Sequence, residues 1–196
     1  MSVEAPVTLE RPEGRGAVTR SRILNAATAL FYANGIRGVS ADRIIEEVGV
    51  TKVTFYRHFR TKADLVVAYL QRQSAGEQGA FGPAREAGDP VEALRAIALG
   101  IGDWTCRPGF RGCPFINASA EFPDAAHPVR AVIDAHRGWL LGLLTAIAGN
   151  AGVADAEAAG RQLMMLRDGA MVTGYLGDPE TVGEALLRGF MVVVGR

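Results

Sequence analysis

Ser40-Ala-Asp-Arg-Ile-Ile-Glu-Glu-Val-Gly49-Val-Thr-Lys-Val-Thr-Phe-Tyr-Arg-His-Phe59 is the stretch that decides the fold. Its first half reads as a short helix. Ser40 supplies an N-terminal cap, and Ile44, Ile45 and Val48 form an apolar stripe. Gly49 sits where that helix must stop, because glycine takes a positive φ without a Cβ clash. A second short helix follows. It is expected to carry one greasy face (Val50, Val53, Phe55, Phe59) and one polar face (Lys52, Thr54, Tyr56, Arg57, His58). A core accounts for the first face, but only a partner rich in acceptors accounts for the second. Two short helices joined by a tight turn with glycine make a helix-turn-helix. A helix of this size and charge fits the major groove of duplex DNA.

The flanks support this unit. From Thr19 to Asn34, Ile23, Ala27, Leu30 and Phe31 recur at helical spacing, and Gly35 ends the run. Thr61-Lys-Ala-Asp64 reads as a capping box with Asp in place of Glu, opening a helix through Leu65, Val66, Tyr69 and Leu70. Charge is the second signal. The formal net charge of the 196 residues is zero, which taken alone argues against a nucleic-acid partner. Its distribution overturns that. Residues 15–72 hold ten Lys/Arg against four Asp/Glu, and residues 73–196 hold ten against fourteen. A basic head on an acidic body is the footprint of a DNA reader with a separate second function.

The rest of the chain also reads as helical. An apolar fraction of 48% with 21% charged residues is enough for a sizeable core. The Gly- and Pro-rich stretch from Ser74 to Pro90 marks the end of the fourth helix and a linker. Helices are then expected over Pro90–Cys106, Pro114–Glu121, Pro128–Gly149, Asp155–Leu176 and Pro179–Val194. No run alternates as a strand would. The fold class is therefore all-α, with about nine helices. The first residues carry charges and no apolar core, so no secretory signal is expected there. The longest uncharged run, Gly138 to Ala154, falls short of a membrane span. A cytoplasmic protein with no membrane partner is the expectation, and two cysteines do not make a disulfide framework there.

The run from Thr19 to Leu70 resembles the DNA-binding region of TetR-family transcriptional regulators. The resemblance rests on Thr19-Arg20, Ile23-Leu24-Asn25-Ala26-Ala27, Leu30-Phe31, Gly35 to Ser40, Ile44-Ile45, Gly49-Val50-Thr51, Tyr56-Arg57-His58-Phe59 and Lys62-Ala63-Asp64-Leu65. It implies a flexible arm over 1–16 and a three-helix helix-turn-helix domain over 17–77, with the motif at about 40–59. A helical effector-binding and dimerisation domain over 78–196 completes the chain. Its partners would be double-stranded operator DNA, a small-molecule effector of unknown identity and a second copy. In such regulators the last two long helices pair with their copies. Here those carry Gly160, Gly169, Gly174, Gly183 and Gly189 beside Leu163, Leu166, Met171, Leu186, Leu187 and Phe190. Close packing within one chain would explain the same residues, and the resemblance favours the homodimer. Arg111–Phe122 and His127–Arg130 also resemble a subset of the family.

The DNA contacts take roles from position and resemblance. Thr51 and Thr54 open the recognition helix, where hydroxyls reach phosphates or base edges. Lys52 and Arg43 are base-reading candidates. Tyr56, His58 and Lys62 match family positions that touch the DNA backbone, and Ser40 and Arg57 complete the set. Val53 stands for either a methyl contact to thymine or simple packing.

The body is less legible. Trp104, Phe115, Asn117, Glu121, His136, Trp139, Met164 and Asp168 are the candidates for an effector site, although aromatic and Met residues at helical spacing are usually core. Cys106 and Cys113 open an alternative, a redox-sensing repressor. A DNA-binding regulator with no small-molecule ligand is another. A zinc site joining these cysteines with His127 and His136 is disfavoured by the C-x6-C spacing, so no metal or cofactor is expected. No nucleophile elbow, phosphate loop or dinucleotide fingerprint is present, and an enzyme is not expected.

Overall fold

The computed structural model describes residues 14–86 and 88–196. The arm expected over 1–16 lies mostly outside the described residues. Among those described there are nine α-helices, two 3-10 turns and no strand. The helices are α1 (Arg15–Asn34), α2 (Ala41–Val48), α3 (Lys52–His58), α4 (Lys62–Phe81), α5 (Pro90–Thr105), α6 (Pro114–Glu121), α7 (Pro128–Asn150), α8 (Ala156–Leu176) and α9 (Val182–Val193).

Local chemistry sets the boundaries in the head. The Ser40 side chain accepts from the Arg43 N–H, and Gly49 closes α2 at φ 70° in the left-handed region. Thr51 caps α3 through the Thr54 N–H. Thr61 and Asp64 form a complete capping box on α4. At Ser40, Thr51 and the Thr61–Asp64 box a side-chain oxygen satisfies an amide that the helix leaves unpaired. Two expectations are corrected. α1 begins at Arg15, four residues before Thr19. α4 does not end near Ser74 but runs to Phe81, with Ser74 and Glu77 buried. The stretch read as a linker is thus largely helical, because burial against the body outweighs the poor helix propensity of its glycines.

α1 to α4 form the head. In the body α7 packs on α8, α5 on α9, and α8 on α9, while α4 reaches back onto α7. One continuous core runs from Ile23, Phe31 and Phe55 through Leu70 to Leu144, Leu163 and Phe190. α7 is long and apolar enough to cross a membrane by length and composition. Its residues Val129, Ile133, Leu140, Leu143, Leu144 and Ile147 are instead buried in this core.

The glycines of the last helices mostly serve packing inside the chain. A Cβ on Gly102 of α5 would lie 2.7 Å from the Gly183 Cα, so these two glycines let α5 and α9 touch backbone to backbone. Gly160 faces Thr145, Gly174 faces Thr105 and Gly189 faces Leu166; only Gly169 of the five looks into open space. Leu163, Met171, Leu186 and Phe190 are likewise buried within the chain. Of the large apolar residues expected on the pairing face Leu166 is exposed, and α8 and α9 also expose Met165, Val172, Tyr175, Leu176 and Val192.

Candidate nucleic-acid interface and its coupling to the body

α2 and α3 are held as one unit by Ile44, Ile45, Val48, Phe55 and Phe59, all buried. Arg22 of α1 donates to the Val48 carbonyl at 2.7 Å and closes the end of α2. Arg20 lies over the Phe59 ring, 4.8 Å from its centre. Locked on this side, α3 presents Thr51, Lys52, Val53, Tyr56 and Arg57 to solvent. Arg43 and Ser40 are exposed on the neighbouring helix start.

Two expectations change here. Val53 does not belong to the greasy face: it is 79% exposed, which removes the packing explanation. His58 is half-buried, with its Nε2 shut off from solvent and unpaired, so its ring belongs more to the head's interior than to its polar face. Tyr56 is partly exposed and stands edge-on to Phe55 at 5.2 Å. The Lys52 Nζ pairs with Asp42 at 2.8 Å, with both side chains 67% exposed. Such a pair contributes little stability, so the ammonium can leave it for an acceptor on DNA. Lys62 opens α4, half-buried above the Phe31 ring; burial lowers its pKa and the Glu121 charge opposes that.

The head is tied to the body at two points besides the core, and within the head α4 is tied to α1 at a third. Glu121, at the end of α6, accepts from two successive amides of the α1–α2 loop, Ile36 N–H at 2.8 Å and Arg37 N–H at 2.6 Å. The Tyr32 hydroxyl accepts from the Arg111 N–H at 2.9 Å and donates to the Gly112 carbonyl at 3.0 Å. Arg72 of α4 donates to the Leu24 carbonyl at 3.1 Å, and to Asn25 and Thr28.

The model for bacterial regulatory proteins of the tetR family matches residues 23–69, the span of the head from α1 into α4. The crystal structure of a TetR-family transcriptional regulator from Streptomyces coelicolor is similar throughout. It shares 47% identity at a TM-score of 0.86, over 90% of this chain and 94% of that one. The chain belongs to the TetR family. The transcriptional regulator TtgR of Pseudomonas putida is 27% identical over 89% of this chain and 88% of its own length. AcrR of Shigella flexneri is 34% identical over 42% of this chain and 40% of its own. TetR-family proteins are DNA-binding transcriptional regulators, not enzymes, and this chain is one of them.

In this TetR-family regulator the end of α4 enters a buried polar cluster. Glu77 of α4 accepts from Arg167 of α8 at 2.7 Å, with the two side chains 5% and 1% exposed. The His136 Nε2 lies 3.4 Å from the other Glu77 oxygen, and its Nδ1 is 3.0 Å from the Ser74 hydroxyl. Arg167 also reaches the Cys113 sulfur and Asp168, each at 3.2 Å, and Asp168 accepts from Arg137 at 2.7 Å. Burial by itself would raise the Glu77 pKa, but His136 and Arg167 outweigh it and hold the carboxyl below its ordinary value. Removing one partner of such a pair leaves a buried charge uncompensated, at a cost of about 3–5 kcal/mol.

The effector candidates from the sequence do not converge on one cavity. Trp104 is half-buried against Phe110 and lines a cleft between α4 and α5. Phe115 is fully buried and stacks on His136, whose ring centre also lies 5.6 Å from that of Trp139. Met164 is core, and Asp168 belongs to the ionic cluster. Asn117 is exposed and donates to the Arg111 carbonyl, bracing the loop before α6. Glu121 grips the head. Cys106 and Cys113 are both free, one exposed and the other buried beneath Arg167. Sequence reasoning missed Glu77, Arg167, Tyr32 and Ser74. For Arg167 a signal existed: it sits four residues from both Leu163 and Met171, a cation on an apolar helical face.

Proposed function

We propose that this protein is a homodimeric repressor released from a pseudo-palindromic operator by a small-molecule effector bound in the body. Residues 17–77 form the head and 78–196 the body, with α4 running through the boundary. The reading rests above all on α4. Its first turn carries Lys62 beside the recognition helix, and four turns on Glu77 sits in the buried cluster. A helix is stiff over that length, so displacement at Glu77 moves the head. Glu121 gives α6 a second hold on the loop that leads into α2.

On DNA, Lys52, Arg43 and Thr54 face base edges, while Thr51, Tyr56, Arg57, Lys62 and Ser40 serve the backbone. Backbone contacts set register and base contacts carry sequence. The exposed apolar face of α8 and α9 supports pairing of two copies, which would set two α3 helices at half-sites one helical turn apart or more. Such a regulator works in the cytoplasm, where its DNA is.

The test is a DNase footprint on the DNA upstream of its own coding region, repeated with candidate effectors. Two symmetric protected half-sites, lost when an effector is added, are expected. Protection of a single unsymmetric stretch, or of none in any upstream region of the genome, would contradict the reading.

A further inference from the structure

Among the described residues no large apolar side chain is as exposed as Val53, at 79%. The next two, Val192 and Leu176, lie on the face assigned above to a second copy. Val53 stands in the first turn of α3, in the head, and needs a partner of its own. Water is no such partner. A β-branched residue is a weaker helix former than Ala or Lys, and its apolar surface gains nothing in solvent.

Its direction is fixed. Phe55, two residues on and so about 200° around the axis, is fully buried in the head, and Val53 therefore points away from the core. Arg57, four residues on and also exposed, continues the same line one turn later. Lys52 turns aside to Asp42 of α2 at 2.8 Å. Val53 thus heads the outermost ridge of α3. The turn that carries it is held by Thr51, which accepts from the Thr54 N–H at 3.1 Å and donates to the Thr54 hydroxyl at 3.0 Å. Valine has one strongly preferred rotamer in a helix, so its methyls are presented with little entropy left to lose.

The chemistry of the partner follows. Val53 has no donor or acceptor, so it has nothing to offer a phosphate or a polar base edge. Against guanine, adenine or cytosine it would strip water from groups that it cannot pair. The 5-methyl of thymine is the one apolar group that the bases show in the major groove.

We propose that Val53 is a specificity-determining residue whose methyls pack on the 5-methyl of one thymine in each half-site of the operator. The proposal rests on the reading of α3 as the recognition helix. It adds a contact made by shape and methyl burial to the hydrogen bonds of Lys52, Arg43 and Thr54.

The probe is the duplex that the full-length wild type enriches from a random-sequence pool. Each thymine in turn is replaced by deoxyuridine, at the same place in both half-sites. This removes the methyl and leaves the hydrogen-bonding edge unchanged. Binding is read by fluorescence anisotropy. In the wild type one thymine position should prove methyl-sensitive, with binding weakened about fivefold to twentyfold for the two methyls together. Val53→Ser lacks both γ-methyls and should bind the thymine and deoxyuridine duplexes alike. It should keep wild-type affinity for unrelated duplex, which is held through its phosphates. Specific binding with no methyl-sensitive thymine overturns the proposal and leaves α3 as the recognition helix. Methyl sensitivity that persists in Val53→Ser assigns the contact to another residue and overturns it as well. So does an equal loss of affinity for unrelated duplex, which would make Val53 a structural residue. A pool that enriches no sequence overturns both readings.

Discussion

Glu121 is a residue whose role reverses between sequence and structure. A carboxylate on a short helix of the body suggests a ligand contact, yet both oxygens are taken by the Ile36 and Arg37 amides. Hydrogen bonds to a charged acceptor contribute about 1.5–3 kcal/mol each when buried, and less at this half-exposed site. Glu121→Ala is therefore expected to destabilise the protein by about 1–3 kcal/mol and to speed hydrogen exchange at the Ile36 and Arg37 amides. Glu121→Gln, which keeps one acceptor oxygen, should fall between. Unchanged exchange at both amides in Glu121→Ala would show that the carboxylate holds nothing. The local residues were legible: Ser40, Gly49, Thr51 and Thr61 act on groups two to four residues away, so sequence alone places them. Glu121 was not, because its partners lie 84 and 85 positions away. Val53 was misread for a simpler reason. Two residues along a helix turn the side chain by about 200°, so Val53 and Phe55 face opposite sides.

At the scale of elements, α8 and α9 show how a correct assignment of helices can carry the wrong residues. Their extents were readable from Pro179, the Asp155 cap and the apolar period. Which face turns inward was not, since it depends on α5 and α7 approaching at Gly183 and Gly160. The outward face is left with Met165, Val172, Leu176 and Val192, at 65%, 47%, 75% and 76% exposure. Apolar residues gathered on two adjacent helices mark an association surface. Leu176→Glu should convert a dimer into a folded monomer, read by sedimentation velocity beside circular dichroism. A dimer that withstands this change would place the contact elsewhere. α4 is the other element that sequence truncated. Its second half reads as a linker because Gly76 and Gly79 disfavour a helix locally, whereas the Glu77–Arg167 pair and the packing on α7 are long-range.

The whole molecule divides its charge between a basic head and an acidic body. That asymmetry explains how a chain of zero net charge binds a polyanion. The body's acidic excess discourages contact with DNA outside the head, and the head's cations gather around α3. The central claim is that α3 and the start of α4 carry the DNA contact. The most direct measurement is equilibrium binding to the operator and to unrelated duplex, over a range of salt, for the wild type and three variants. Tyr56→Ala and Lys62→Ala should weaken both kinds of DNA, and Lys62→Ala should lower the salt slope by about one per head. Lys52→Ala should cost about 1–3 kcal/mol on the operator and narrow its preference over unrelated sequence. Operator affinity and salt slope unchanged in all three variants would contradict the account.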